Sequence, residues 1–481
     1  MKPVKVLVFL VVCLGITGAV SLLFPENGFV LSDNTVIKFP NLKEILSPKI
    51  DSTAIIKEQK AIEEGKTLAE KKEAILKKVS RSTADTLVLM QVDATESPAR
   101  FYFADDDRKV MDQFFDALEV TKRDNTDFRI IHYGDSQIEM DRITSHIREQ
   151  LQRTYGGSGM GLLPALEVTP KYTVAEESTG VWTRKLAFGS EDGRARHNRY
   201  GPMGYFSLKG SDQASVVITA RENTSYKNKN FKKCRVVVGA INQPLEISVA
   251  SAGKVIGSQT LPSSPSEQMA TFLIDSTSGK VGLKFSGANA DILGIALDGN
   301  GGVCVDNVPM RGCSGTIFRR INAETLRKTY QMLNVKMLIL QFGGNSLPGM
   351  KSKASADAYG KKFLEELKYL KSVDPNLIIF VIGPADMSVK VDGSMQTHPQ
   401  LENVRDALKN ATLQAGGVFW DMYEAMGGNG SMVEWVRTKP SLGSPDYIHY
   451  TQKGAVKISE IFYTSLMKEF EMYKLRKKLG A

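Results

Sequence analysis

The segment from His132 to Gln137, His-Tyr-Gly-Asp-Ser-Gln, constrains the fold of this chain more than any other stretch. The apolar run 128–133 predicts a buried strand, and the apolar spacing over 140–151 predicts a helix that follows at once. A serine at such a turn, here Ser136, is exposed and has backbone N–H groups beside it, as an activated nucleophile with an oxyanion donor requires. Taken alone, Gly-Asp-Ser more often caps a helix, because Asp and Ser are both good N-caps.

The composition limits the class of protein. The chain has 481 residues, 42% hydrophobic and 24% charged, which is typical of globular proteins with two or three domains. The formal net charge of +9 suits contact with anionic polymers or membrane surfaces. No Lys/Arg block interleaved with aromatic residues is present, so nucleic acid is not an expected partner. Cys13 lies in the N-terminal apolar run, and the three remaining cysteines, without a CxxC pair, indicate neither a metal site nor a disulfide framework; at most one bridge can form among them.

The N-terminal region predicts export. A short basic start is followed by an uncharged apolar run that ends at Phe24, so residues 1–25 are a signal peptide or a single N-terminal membrane anchor. The length of the run favours an uncleaved anchor, and we expect a periplasmic or cell-surface protein. Residues 26–99 predict a linker and a charged helical stalk, because 55–79 is dense in Lys and Glu with apolar positions at heptad spacing.

Beyond residue 99 the pattern predicts an α/β domain that is interrupted once. Strand, turn and helix signals fill 100–167 and resume over 305–481, which indicates a parallel sheet with helices on both faces. Between them, over 168–304, short β-branched runs alternate with Gly, Ser and Asn. This pattern predicts an inserted all-β domain, a sandwich or a jelly roll.

Three segments place polar groups where the predicted parallel strands end. They are Ser136, the Gly-Gly-Asn turn that ends at Asn345, and the loop from Asp446 to His449. In that loop the carboxylate can hold the imidazole Nδ1 and leave Nε2 free as a base. An isolated Asp-x-x-His is common, and a helix cap beside a surface histidine explains it equally well. The whole set, in this order and on these elements, is much harder to obtain by chance.

In these motifs the chain resembles the SGNH (GDSL-type) hydrolases, over about 100–165 and 306–475. Ser136 matches the family's nucleophile, Asn345 its third block, and Asp446 and His449 its acid and base. The second-block glycine would be Gly312. The resemblance implies a flavodoxin-like sheet, an oxyanion hole of the Ser136 and Gly312 N–H groups with the Asn345 amide, and no metal or cofactor.

Two positions depart from the family pattern. Gln137 replaces the usual Leu after the serine, and Ser346 follows Asn345 where many members have Asp. Neither change removes a catalytic atom, but both point away from the common lipase and esterase branches.

A β domain inserted between the first and second blocks is similar to the peptidoglycan O-acetylesterase branch, in which the insert resembles a carbohydrate-binding module. The resemblance therefore implies an exported serine esterase that removes O-acetyl groups from a cell-wall or surface polysaccharide through an acyl-enzyme. The expected partners are an acetylated glycan or peptidoglycan and, through the N-terminal segment, a membrane. Two alternatives stay open: a polysaccharide O-acetyltransferase that uses the same residues, and a non-catalytic glycan-binding surface protein.

Competing motifs are absent, and two tryptophans are further candidates. There is no G-x-S-x-G elbow, P-loop or HExxH motif. Trp182, with other residues of the insert, is a candidate for a sugar-binding face, and Trp435 for a wall of the cleft; core packing is the alternative for both. The other residues of that face are Tyr200, Tyr205, Arg194, Arg196 and His197.

Overall fold

The structure is a computed structural model that describes residues 29–32, 35–37, 83–167, 169–222, 224–274 and 279–480. Within Met1–Asp85, strands β1 (Phe29–Ser32) and β2 (Thr35–Ile37) form an antiparallel hairpin. The signal peptide or anchor expected at 1–25 and the charged helix expected at 55–79 lie outside the described residues. No helix of the described ranges is both long and apolar enough to cross a bilayer.

The segment before the β domain confirms the predicted order of strand, turn and helix. Its elements are α1 (Thr83–Glu96), β3 (Phe101–Tyr102), α2 (Lys109–Asp124), β4 (Asp127–Gly134) and α3 (Thr144–Tyr155). The helix expected from Met140 onward starts later, at Thr144. Met140 and Asp141 have φ angles of 63° and 62°, which end the 3-10 turn Ser136–Asp141 before the α-helix begins.

Two antiparallel sheets then form an all-β module around one apolar core. One sheet has the order β13-β10-β15-β8-β7 with β5 also paired to β15, and the other has the order β12-β11-β14-β9-β6. Inward-facing residues of both sheets, such as Val236 and Ile247, are fully buried together. The elements are β5 (Gly159–Leu163), β6 (Val174–Thr179), β7 (Trp182–Leu186), β8 (Tyr205–Lys209), β9 (Gln213–Ala220), α4 (Tyr226–Lys229), β10 (Lys233–Val238), β11 (Leu245–Ser251), β12 (Lys254–Leu261), β13 (Gln268–Leu273), β14 (Lys280–Gly287) and β15 (Ala290–Asp298).

The α/β pattern resumes after the module and continues to the end of the described chain. The elements are β16 (Gly302–Pro309), α5 (Ala323–Leu333), β17 (Val335–Gln341), α6 (Lys353–Val373), β18 (Ile378–Ile382), β19 (Ser388–Val391), β20 (Ser394–Thr397), α7 (Leu401–Gln414), β21 (Val418–Trp420), α8 (Met422–Met426), α9 (Ser431–Arg437) and α10 (Gln452–Leu479). Strands β19 and β20 form a separate hairpin.

One parallel sheet carries the α/β part. Its order is β16-β4-β17-β18-β21-β3, in which the first five strands are parallel and β3 is an antiparallel edge. Numbered along the chain, the five parallel strands have the order 2-1-3-4-5, which is the flavodoxin-like order.

Helices cover both faces of this sheet. On β4, Ile131 packs with residues of α5, α6 and α7, whereas its neighbour Ile130 packs with residues of α2, α3 and α10. Successive strand residues point to opposite faces, so each strand is buried on both sides and is almost continuously apolar. The predicted sheet with helices on both faces is therefore confirmed.

The borders of the inserted module differ from 168 and 304. Strand β5 already belongs to the module, because its residues pair with β15. Strand β16 belongs to the parallel sheet, where it pairs with β4 from Gly302 opposite Asp127 to Pro309 opposite Gly134. The module thus spans about 159–298. The apolar runs of β15 and β16 follow each other closely, so the sequence pattern does not distinguish an antiparallel strand from a parallel one there.

A buried charge network joins the module to the sheet. Arg129 of β4 forms ion pairs with Asp298 of β15 at 2.6 Å and with Asp306 of β16 at 2.5 Å. Arg235 of β10 also pairs with Asp298, at 2.7 Å. The side chains of Arg129, Asp298 and Asp306 are fully buried, so each charge depends on its partners for solvation.

Candidate active site

A cavity of about 160 Å³ lies where β4, β17 and β18 end. Strands β4 and β17 are the first and third parallel strands of the sheet, and the point between them is where flavodoxin-like sheets bind ligands. The residues that border the cavity are Asp135, Ser136, Gln137, Gln341, Phe342, Gly344, Asn345, Pro348, Gly383, Pro384, Ala385, Met387, Met422, Ile448 and His449.

The structure brings Ser136, His449 and Asp446 together. Ser136 Oγ lies 2.8 Å from His449 Nε2, although the two residues are 313 positions apart in the chain. His449 Nδ1 lies 2.7 Å from Asp446 Oδ2. The serine begins the turn after β4, and the histidine lies in the loop before α10.

Asp446 is held as an anion that orients the histidine ring. Its Oδ1 accepts the backbone N–H groups of Ile448 at 2.9 Å and His449 at 3.0 Å. Partial burial acts to raise the pKa of the Asp446 carboxyl, but these hydrogen bonds and the one from the His449 ring outweigh it, so the pKa lies below its ordinary value. An ionised carboxylate at Nδ1 requires the proton on that nitrogen, which leaves the Nε2 lone pair directed at Ser136 Oγ.

Gln137 and Arg142 fasten the histidine loop to the serine turn, and we call this pair the clasp. Gln137 Nε2 donates to the carbonyl of Ile448 at 2.6 Å, and Arg142 Nη1 donates to the carbonyl of Tyr450 at 3.0 Å. These carbonyls belong to the residues on either side of His449. Arg142 Nη2 also donates to the carbonyl of Ser136 at 2.7 Å, so one guanidinium contacts both loops.

The β module supports the far end of the same turn. The backbone N–H of Tyr172 donates to the carbonyl of Met140 at 3.0 Å, and Thr173 Oγ1 donates to Asp141 Oδ2 at 2.8 Å. Arg148 of α3 donates to both carboxylate oxygens of Asp141, at 2.8 and 3.0 Å. These contacts hold two residues in the left-handed conformation, which non-glycine residues adopt at a cost.

Asn345 presents its side chain at the cavity between two backbone segments. Its Nδ2 donates to the carbonyl of Cys313 at 3.3 Å, and its amide also contacts the carboxyl of Asp135. Asp135 is buried, and burial raises the pKa of its carboxyl to about 6 against the opposing effects of the Gln137 N–H, His449 and Asn345. Ser346, the second departure from the family pattern, is buried and donates its hydroxyl to the carbonyl of Gly343 at 2.6 Å.

Four predicted site residues do not border the cavity: Asp446, which reaches it through His449, and Gly312, Trp182 and Trp435. Gly312 lies on an exposed loop with a φ of 74°, and Gly344 borders the cavity instead. Trp182 packs edge-on against Phe285 at 5.7 Å within the β module. Trp435 is buried and donates its indole N–H to the carbonyl of Met426 at 3.1 Å. For Trp435 the structure shows core packing rather than a cleft wall, because an indole is large, apolar and readily buried.

A buried polar pair that the sequence did not suggest lies behind the cavity. His132 Nε2 lies 3.1 Å from Gln341 Oε1, and His132 Nδ1 lies 2.9 Å from Thr144 Oγ1. Burial lowers the pKa of His132 to about 4, so the ring is neutral at ordinary pH. This pair fixes Gln341, whose carbonyl accepts the N–H of Asp135 at 3.2 Å.

Among the residues that the structure describes, the site has no cluster of metal ligands and no disulfide. The described ranges contain no group of three or more His, Cys, Asp or Glu side chains arranged for a metal ion. Cys234, Cys304 and Cys313 are buried free thiols, and Cys13 lies outside the described residues.

Comparison with known proteins identifies the fold. No family model matches the chain, and no curated protein matches it. A solved peptidoglycan O-acetylesterase aligns with 79% of this chain and 97% of its own, at 20% identity and a TM-score of 0.54. A family two carbohydrate esterase from Clostridium thermocellum, in complex with cellohexaose, covers 62% of this chain and 99% of its own at 10% identity, and an acetyl xylan esterase covers 34% and 81% at 13%. Their TM-scores of 0.22 and 0.27 are too low to support a conclusion. The chain therefore shares the fold of the solved peptidoglycan O-acetylesterase.

Proposed function

We propose that this protein is a serine esterase that removes O-acetyl groups from a polysaccharide. The observation that carries the proposal is the hydrogen-bonded series from Ser136 Oγ through His449 to Asp446 at the edge of a cavity. A hydroxyl, an imidazole and a carboxylate in this order form the arrangement that activates serine in acyl transfer.

The geometry supports a two-step reaction. His449 Nε2 takes the Ser136 proton as Oγ attacks the ester carbonyl carbon, and the ionised Asp446 stabilises the imidazolium. The Ser136 N–H and the Asn345 amide are the proposed donors to the oxyanion, and each such donor typically lowers the barrier by about 2.7–4 kcal/mol. His449 then protonates the departing sugar hydroxyl. Water, deprotonated by His449, attacks the acyl-enzyme and releases acetate and free Ser136.

The size of the cavity favours a short acyl group. Its volume is about 160 Å³, and its apolar border includes Phe342, Pro384, Met387 and Met422. An acetyl methyl group can be placed against these side chains, whereas a long acyl chain exceeds the space. The sugar then remains at the open side of the cavity, where a polymer can approach.

The proposal includes a polysaccharide as the substrate and a location outside the cytoplasm. One solved protein with this fold is a peptidoglycan O-acetylesterase. In this chain the β module contacts the serine turn through Tyr172 and Thr173. With the apolar N-terminal segment 1–25, we place the protein outside the cytoplasm, in the periplasm or at the cell surface.

The test compares variants of the full-length protein on an aryl acetate and on O-acetylated peptidoglycan. Ser136→Ala and His449→Ala are expected to lower kcat/KM by at least about 10³-fold, and a fluorophosphonate is expected to label wild type but not Ser136→Ala. Ser372→Ala, an exposed serine on α6, is the matched control and should keep full activity. Wild-type turnover by Ser136→Ala refutes the mechanism. Acetyl transfer to a sugar acceptor in preference to water would instead identify an O-acetyltransferase.

A further inference from the structure

A second, more open cavity of about 450 Å³ lies between the β module and the α/β part. One side is the loop between β7 and β8, and the other is the 3-10 turn Phe318–Arg320 that precedes α5. It shares no residue with the cavity at Ser136. The residues that border it are Ala187, Arg194, Ala195, Arg196, His197, Asn198, Tyr200 and Arg320.

Three arginines supply this cavity with unused hydrogen-bond donors. The side chains of Arg196 and Arg320 are exposed and have no hydrogen bond or ion pair with any residue that the structure describes. Arg194 pairs with Glu191 at 3.3 Å, but its Nε is buried and has no acceptor within the described chain. Each of the three guanidinium groups therefore carries N–H donors that no acceptor of the described chain uses.

Hydrogen bonds and ring stacking within the protein hold the loop that carries Arg194 and Arg196 in place. The backbone N–H of Ala195 donates to the Tyr200 hydroxyl at 3.0 Å, and the N–H of Asn322 donates to the carbonyl of Asn198 at 2.8 Å. The His197 ring stacks on Phe206 with 5.4 Å between centroids and 11° between planes, and its Nε2 lies 3.0 Å from Asp291. Arg194 and Arg196 therefore lie on a loop that the fold already holds in place, so little ordering of this loop is required when a ligand binds.

We propose that this cavity binds an oxyanion group, a carboxylate or a phosphate, carried by a polysaccharide. Guanidinium groups offer planar pairs of N–H donors that match the two oxygens of such groups. Glu191 pairs with Arg194, and Asp291 with His197. The Glu366 carboxylate attracts Arg320 electrostatically without an ion pair, so no carboxylate of the described chain is paired with Arg196 or Arg320. That the oxyanion group is carried by a glycan rests on the proposed function. The substrate is then an acidic polysaccharide.

One segment of chain connects the two cavities. Cys313 accepts the Asn345 amide at the first cavity, and seven residues later Arg320 borders the second. Between them, the carbonyl of Ser314 accepts the Tyr359 hydroxyl at 2.6 Å, which fixes the segment to α6. A glycan held by its acidic group at Arg320 thus lies on the segment whose Cys313 carbonyl accepts the Asn345 amide.

Binding measured in the inactive Ser136→Ala full-length protein tests the site without requiring turnover. The probes are an oligogalacturonate, a phosphorylated mannose oligomer and a neutral galactose oligomer, titrated by calorimetry at low and high salt. An acidic oligomer is expected to bind at least about tenfold more tightly than the neutral one, and Arg196→Gln/Arg320→Gln is expected to remove that difference. Preference for the first or the second probe identifies a carboxylate or a phosphate as the group recognised.

The control variant is Arg153→Gln, an exposed arginine on α3 paired with Glu149. It should bind like its parent, and thermal unfolding should show that all variants are folded. Equal binding of acidic and neutral oligomers, no binding of either acidic oligomer at millimolar concentration, or unchanged binding by the double variant each overturn the proposal. Because binding is read without catalysis, failure of wild type to hydrolyse acetyl esters would refute the esterase and leave this site standing.

Discussion

Asp135 shows how a single residue at the site opposes the stability of the fold. Its carboxyl is buried directly before the candidate nucleophile, and burial raises its pKa from 3.8 to about 6. The side chain nevertheless accepts the Gln137 N–H at 2.9 Å and contacts Asn345, so it braces the turn and the amide that border the cavity. A charge that supports the geometry of a site and weakens the folded state is a common feature of active sites.

Replacement of Asp135 by Asn should stabilise the protein at neutral pH. Between about pH 4 and 6 the folded state binds the Asp135 proton more tightly than the unfolded state, so the wild type loses stability relative to the variant as the pH rises through this window. The full difference, about 3 kcal/mol, should be present above pH 6 and nearly absent below pH 4. Urea unfolding of both proteins at a series of pH values measures it. A stability difference that does not change with pH contradicts this expectation.

At the scale of elements, the reactive groups depend on two loops that lie far apart in sequence. Two side chains of the serine turn, Gln137 and Arg142, hold the backbone carbonyls on either side of His449. The clasp thus sets the position of the imidazole relative to Ser136, and it gives a role to Gln137, the first departure from the motif pattern.

Weakening the clasp should slow acyl transfer without removing a reacting group. Gln137→Leu is expected to lower kcat about tenfold, and Arg142→Met about a hundredfold, because hydrogen bonds from a charged group contribute about 1.5–3 kcal/mol. KM should change little, and Arg142→Lys should recover part of the loss. Added guanidinium should partly rescue Arg142→Met.

Arg153→Met, on the exposed face of α3, is the matched control for Arg142→Met and should keep both kcat and the response to guanidinium of the wild type. Loss of activity that follows the loss of folded protein, with no rescue by guanidinium, would show that Arg142 serves stability alone.

At the scale of the whole molecule, the β module and the parallel sheet share a charged core. Arg129 lies on the strand that ends at the serine turn, while Asp298 is on the last module strand and Asp306 on the strand after it. The module is therefore anchored beside the strand that positions the nucleophile, and it also contacts the far end of that turn through Thr173.

Removal of Arg129 should destabilise the protein strongly. Arg129→Met leaves Asp298 and Asp306 buried with less compensation, and loss of one partner of a buried pair typically costs about 3–5 kcal/mol. The triple variant Arg129→Met/Asp298→Asn/Asp306→Asn should regain part of this loss, since the uncompensated charges are gone. Urea unfolding measures both. If Arg129→Met unfolds at the same urea concentration as the wild type, the network does not stabilise the fold.

Sequence reasoning predicted the parts of the molecule that carry a strong local signal. Apolar runs indicated strands β4, β17, β18 and β21, and the polar groups after them indicated the site. Short β-branched runs also indicated the module strands β9, β10, β11, β13, β14 and β15. Five module strands were missed. β5 and β8 contain no β-branched residue, and β6, β7 and β12 are largely polar.

Contacts between distant segments could not be predicted in the same way. Gln137 and Arg142 act on backbone carbonyls, which leave no trace in the residue types of the partner loop. Tyr200 and Tyr205, candidates for an exposed sugar face, are buried. The sequence does not reveal this, because an aromatic side chain is as well suited to a core as to a binding surface. The cavity with three arginines could not be predicted either, because Arg320 is more than a hundred residues from Arg194 and Arg196 in the chain.

The 313-residue interval between Ser136 and His449 has a consequence for biosynthesis. A ribosome adds roughly 5–20 residues each second, so the nucleophile is made tens of seconds before its base. During translation, a nascent chain that stops short of residue 449 has a serine without the group that would activate it. Under the proposed chemistry, ester cleavage begins only when almost all of the polypeptide has been made, and prematurely terminated products are inert toward acetylated cell components.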